Sequence, residues 1–213
     1  MTKLSRRILI RQSIGAAACY AAFGTAQGFG QSSAAPDVIV REFYDVLLSS
    51  MRKARDLGFS GRYALLDPAV RKTFDLAAMT RISIGPQWRQ IDAAIQTKLL
   101  AVFAEWTIAT YADQFNGIDG EVFSVGATKD SGADKLVETV LTPKGAEPVI
   151  LNYLMRQTNG EWRVIDVYLT GTISELATRR SEFTAIIKTD GAEGVVRALS
   201  KRVDEMRSKK TPK

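Results

Sequence analysis

Apolar residues at Ile39, Phe43, Val46, Leu47 and Met51 recur every three or four positions, a spacing that gathers them on one face of an α-helix. Pro36-Asp37 suits the first turn of that helix, and Gly58 predicts its end. Asp67-Pro68 reads as an N-cap followed by a first-turn proline, opening a short helix that reaches Phe74. Asp75 can cap another, running through Met79 to about Ile84, before Gly85-Pro86 interrupts the chain. A long helix is predicted over 92–115, with Ile95, Leu99, Phe103, Trp106 and Thr110 on one stripe and Asn116-Gly117 closing it.

The pattern then changes from helical to strand-like. Residues 121–128, 135–142, 148–158 and 161–170 are rich in β-branched and aromatic side chains and are separated by turn residues. Asn159-Gly160 is a strong two-residue hairpin signal. Val149-Ile150-Leu151 and Val164-Ile165 are apolar on both faces, which predicts central strands covered on each side. Thr172-Ile173-Ser174-Glu175 fits a capping box for a helix through about Ile187. Asp190-Gly191 turns into a last helix over 192–206, and the basic residues of 209–213 form a solvated tail. Sequential strands bracketed by helices predict an α+β domain over 31–213, in which helices pack into the concave face of a curved antiparallel sheet of about four to five strands.

Composition narrows the chemistry. The 213 residues carry a formal charge of +6, but Lys3, Arg6, Arg7 and Arg11 fall in an acid-free first 30 residues. The remainder is nearly neutral, which argues against a nucleic-acid partner. The first 30 residues join this basic start to an Ala- and Gly-rich stretch with small residues near Ala26 and Gly30. Ser5-Arg6-Arg7-Ile8-Leu9 resembles a twin-arginine export motif, so a cleavable signal and a periplasmic destination are expected; the alternative is a short helix that stays on the membrane surface. The chain has no histidine, and its single cysteine, Cys19, lies in this segment. Histidine-based triads, histidine metal sites and disulfides therefore drop out, and no metal or cofactor is expected.

Among the acids, Asp119 and Glu121 are explained by the turn around Gly117 and Gly120. Asp166 stands mid-strand among Trp162, Val164 and Tyr168. Either it is a structural anchor for a partner such as Arg180 or a helix N-terminus, or it is a general base working with Tyr153 and Tyr168 in an apolar cone. The second option describes a histidine-free isomerase acting on a terpenoid or steroid-like substrate. Anchoring is the commoner use of such a carboxylate. No catalytic residue is assigned.

Thr107 to Phe115, reading TIATYADQF, is similar to the "TYA..F" stretch of the MlaC/toluene-tolerance family of ABC-transport auxiliary proteins. Gly160-Glu161-Trp162-Arg163-Val164-Ile165-Asp166-Val167 resembles that family's "G.W.V.DV", and Arg180-Ser181-Glu182-Phe183 stands where it has "YR.QF". Gly58 to Tyr63, Phe74 to Arg81 and the run from Gly171 to Phe183 look like the HpnM branch, associated with hopanoid biosynthesis. The resemblance implies an NTF2-like, MlaC-like fold enclosing an apolar cavity. It also implies a non-enzymatic periplasmic carrier that takes an amphipathic lipid, a hopanoid or a phospholipid, from or to membrane-bound transport components by transient membrane contact. On that reading Phe103, Trp106, Tyr111, Leu151, Tyr153, Val164 and Tyr168 would line the lipid cavity. Arg179 and Arg180 would meet a head group or a partner, and Asp166 would be the anchor.

Overall fold

The computed structural model describes residues 34–208. The export-signal reading of the first 30 residues and the basic tail over 209–213 lie outside the described residues.

Helix α1 (Pro36–Arg52) begins on Pro36, whose fixed φ is already helical, with Asp37 in its first turn against the positive end of the helix dipole. Helix α2 (Ala54–Thr73) follows after a break at Lys53 and is kinked at Gly58, where φ is +59° and ψ −172°. The expectation that the first helix runs to Gly58 is corrected: it ends at Arg52, and Gly58 instead kinks the helix that follows. Asp67-Pro68 does not open a helix, however: Pro68 lies inside α2. The missing Pro68 N–H is outweighed by tertiary packing, since Leu66 and Val70 on either side of it are fully buried. Buried Arg62 ties α2 to the next layer, donating from Nε to the Ala112 carbonyl at 2.8 Å and from a terminal nitrogen to the Ala54 carbonyl at 3.0 Å.

Asp75 caps helix α3 (Leu76–Ile84) by accepting from the Ala78 N–H at 2.9 Å. A 3₁₀ turn over Gly85–Gln90 leads into α4 (Ala93–Gln114), the predicted long helix. Five antiparallel strands follow in sequential order: β1 (Val122–Ser131), β2 (Asp134–Thr142), β3 (Val149–Thr158), β4 (Glu161–Leu169) and the two-residue β5 (Ile173–Ser174). Asn159 and Gly160 both have positive φ, as the tight β3–β4 hairpin requires. The free edge of β4 is covered twice. β5 pairs with its last residues, and Phe74, between α2 and α3, forms a parallel bridge with Val164.

Helix α5 (Glu175–Ser208) is two helices joined at Gly191, where φ is +67° and ψ −178°. Its cap is Ser174, whose Oγ accepts from the Ala177 N–H at 2.9 Å. The start is therefore shifted from the expected box, because Ile173 and Ser174 are held as a strand against β4.

The core lies between the helices and one face of the sheet, gathering Phe43 and Leu47 of α1, Leu99 and Phe103 of α4, Tyr153 and Met155 of β3, and Phe183 of α5. The expectation that Val149 and Ile150 are covered on both sides is corrected. They are 37% and 44% exposed, at the start of β3.

A register shift in the β3–β4 pair matters most for the site. Met155 pairs with Val164 but Leu154 pairs with Asp166, so Ile165 is an extra residue in β4. Such a bulge reverses which side chains point inward beyond it. Val164 faces the core with Met155, and Val167, three residues on, faces it with Tyr153. Asp166 and Tyr168 pair with Leu154 and Asn152 and fall on the other face.

Candidate functional site

One stripe of α4, the inward residues of β3 and β4 and the first turns of α5 surround a cavity of about 270 Å³, with Phe74 and Met79 as further walls. The α4 stripe carries Phe103, Trp106, Thr107, Thr110 and Tyr111, spaced so that they share a helix face. The sheet wall consists of two register pairs, Leu151 with Leu169 and Tyr153 with Val167. Helix α5 contributes Leu176 and the ionic pair Glu175 and Arg179. Apolar surface dominates, and charge is confined to the part of the lining that α5 supplies.

Of the residues expected at the cavity, Phe103, Trp106, Tyr111, Leu151 and Tyr153 line it. Val164 and Tyr168 do not, and the Ile165 bulge is the reason for Tyr168 alone, since Val164 precedes it and keeps its core facing. Val164 is fully buried against Met155 and Phe74, and Tyr168 is turned to the opposite face. Val167 and Leu169 take their places. The bulge left no mark in the hydrophobic pattern, and Phe74 and Met79 read as ordinary core positions, so neither signal pointed to the cavity.

Arg179 lines the cavity and Arg180 does not. The Arg179 guanidinium bonds Glu175 at 3.1 Å and Glu182 at 3.4 Å, and its carbon lies 4.9 Å from the Trp106 ring centroid, within cation–π range. Its Nε is buried and has no hydrogen-bond partner. Glu182 also receives Arg202. Burial pushes the Glu182 carboxyl up, but the bonds and charges of Arg202 and Arg179 outweigh it and hold the group below the usual carboxylate range. Arg180 is committed elsewhere: its Nε and a terminal nitrogen donate to the Ile82 carbonyl at 2.9 and 2.7 Å, in the last turn of α3.

Asp166 is buried and spends its carboxylate on the start of α5. It accepts from the Val167 N–H at 2.8 Å, the Ser174 hydroxyl at 2.5 Å and the Leu176 N–H at 3.2 Å. That is the anchoring role, with a helix N-terminus rather than Arg180 as the partner. Asp166, Tyr153 and Tyr168 do not converge, because Tyr153 faces the cavity and the other two face away.

A buried pair of hydroxyls lies beside the cavity. The Tyr44 hydroxyl is 2.7 Å from Thr139 Oγ1, and Thr139 Oγ1 donates to the Leu151 carbonyl. The Tyr153 ring meets the Tyr44 ring edge-on, with centroids 5.9 Å apart. Burial pushes the phenols of Tyr44, Tyr111 and Tyr153 above the ordinary tyrosine range, Tyr153 well above it. Tyr44 fits the helical spacing of α1 but was not singled out, since its partner Thr139 is distant in sequence. Among the described residues, no group of three or more His, Cys, Asp and Glu side chains could hold a metal ion. No described helix is long and apolar enough to cross a membrane.

The comparisons agree with this architecture. No curated protein matches the chain. A solved structure of a phospholipid-binding protein from Ralstonia solanacearum, in complex with a phospholipid, shares the fold with a TM-score of 0.72. The two chains are 22% identical, and the alignment covers 82% of this chain and 100% of that one. The family model described as "MlaC protein" matches residues 41–201, which span everything from α1 to the second half of α5. With that match over most of its length and a five-stranded meander closed by helices around an apolar cavity, the chain belongs to the MlaC family.

Proposed function

We propose that this protein is a periplasmic lipid carrier, with no catalytic step of its own, and that its cargo is an amphipathic lipid, a hopanoid or a phospholipid. The observation that carries this reading is the cavity, apolar over most of its wall and charged only along α5. Exposing a lipid tail to water costs about 0.8 kcal/mol per CH₂, so unaided desorption from a membrane is slow and a portable apolar cavity lowers the barrier. Membership of the MlaC family and the phospholipid held by the Ralstonia protein support lipid binding. Tails lie between the α4 stripe and the β3–β4 wall, and the Arg179–Glu175 pair meets the head group. Membrane-bound transport components load or unload the carrier. The twin-arginine motif and membership of the family support export to the periplasm.

Native mass spectrometry of the protein purified from its own periplasm tests the reading. A complex heavier than the polypeptide, releasing a stoichiometric hopanoid or phospholipid on denaturation, is expected. A bare polypeptide mass, unchanged after incubation with both lipid classes, would overturn it.

A further inference from the structure

Among the described residues, the exposed large apolar side chains are Val38, Val122, Val149, Ile150 and Ile173. Four of the five meet at one end of the sheet. Val122 opens β1, Val149 and Ile150 open β3, and Ile173 follows the turn out of β4, so antiparallel pairing brings them all to the same end. Ile150 reaches across to that turn, since a methyl added at Gly171 would lie 3.4 Å from its side chain. Thr170 in the turn is held at φ +50°, which is unfavourable for a β-branched residue, yet this turn is what sets Ile173 beside Leu169.

This end of the sheet continues the cavity wall. Ile173 pairs with Leu169 and Leu169 with Leu151, a row that runs from an exposed edge into the cavity lining. Leu151 and Leu169 are only half-buried, so the cavity meets solvent beside this row. Val149 shares the face of Leu151, two residues on, while Ile150 and Val122 fall on the opposite face. Apolar side chains are therefore exposed on both faces of the same strand ends. A protein resting on one face would leave the other in water, whereas a lipid surface closes around a protruding edge from both sides. No charged residue occurs in 139–143, 148–155 or 167–174, the segments that build this edge. The loops flanking it hold Asp119, Glu121, Lys144 and Glu147, three acids against one base, with Lys144 3.2 Å from Asp119. That excess repels an anionic surface.

We propose that this end of the sheet is a lip that dips into a lipid surface of zwitterionic or uncharged head groups, and that lipid passes along it between bilayer and cavity. The proposal rests on the carrier reading above and adds the surface through which the cargo enters. A tail moving along the Ile173–Leu169–Leu151 row stays on apolar surface, which removes the cost per CH₂ that makes unaided desorption slow. Withdrawing one half-exposed valine or isoleucine from water strengthens partition into lipid about three- to tenfold. Four such residues give a contact no stronger than that of a single acyl chain, which is reversible, as a carrier requires.

Flotation with lipid vesicles tests this, using protein purified from its own periplasm. The wild type is expected to float with phosphatidylcholine vesicles. At low salt it should float less with vesicles containing phosphatidylglycerol, and the difference should close as salt screens the acidic loops. Ile150→Ser and Ile173→Ser together should weaken binding about tenfold or more. Bound lipid and the urea midpoint should stay near the wild type, since both residues are exposed and neither lines the cavity. The wild-type measurements stand even if the double variant fails to fold. The proposal is overturned if the wild type does not float with phosphatidylcholine vesicles, if phosphatidylglycerol strengthens binding, or if a folded double variant floats as well as the wild type. A protein that carries lipid in native mass spectrometry yet ignores vesicles keeps the carrier reading and loses the lip, which leaves a protein partner to receive the cargo. A protein that holds no lipid in that measurement loses the carrier reading, and the lip with it.

Discussion

Leu151 and Asp166 sit on neighbouring strands, yet they belong to different parts of the molecule. Leu151 points into the cavity from β3, while its carbonyl holds Thr139. Leu151→Glu places a carboxylate in an apolar wall without touching that backbone bond. Loss of the bound lipid in native mass spectrometry is expected, with a far-ultraviolet circular dichroism spectrum like the wild type. Lipid retained at full stoichiometry would remove Leu151 from the cavity wall. Asp166→Ala should act in the opposite sense. It strips the carboxylate that pairs the Ser174 hydroxyl and the Val167 and Leu176 N–H groups. Leaving those donors unmet at the start of α5 should cost about 1–3 kcal/mol, read as a lower urea midpoint. Lipid retention by the folded fraction should survive, because Asp166 does not line the cavity.

At the scale of elements, two helices owe their shape to glycines. Gly58 and Gly191 combine φ near +60° with ψ near 180°, a region that side-chain-bearing residues rarely enter. An added methyl at either site meets nothing within 4 Å. Alanine there should therefore destabilise by about 1–3 kcal/mol through backbone strain alone, seen in equilibrium denaturation of each variant. A neutral result would mean the helix tolerates a different bend. Both glycines were visible in the sequence as helix stops, and the strand block, its hairpin and the long α4 were legible from periodicity and turn chemistry. The Ile165 bulge was not. Strict alternation placed Val164, Asp166 and Tyr168 on one face, and a single extra residue moved the cavity wall to Val167 and Leu169. A bulge is decided by the partner strand, which no local pattern contains.

The whole molecule should show its buried phenols in its response to alkali. Tyr44, Tyr111 and Tyr153 are held above the ordinary tyrosine value of about 10 by burial. A phenol with a raised folded pKa stabilises the fold fully below the unfolded value, and that contribution is lost as pH rises beyond it. Stability should thus be flat up to about pH 9 and decline above about pH 10. Tyrosinate absorbance should show these three rings ionising together with unfolding. Ionisation of all tyrosines near pH 10 in a still-folded protein would contradict the burial of these three phenols.

The α+β class, the order of the elements, the family resemblance and the absence of histidine chemistry are all legible in the residues read in order. Each of these depends on local spacing or on composition, which need no knowledge of what lies across the core. Which side chains surround the cavity was decided only in three dimensions. So were the commitment of Arg180 to the end of α3, the attachment of Asp166 to the start of α5 and the pairing of the Tyr44 and Thr139 hydroxyls. Those outcomes depend on partners distant along the chain, Ile82 for Arg180 and Thr139 for Tyr44 among them. A hydrogen bond takes its geometry from where the fold brings both ends together.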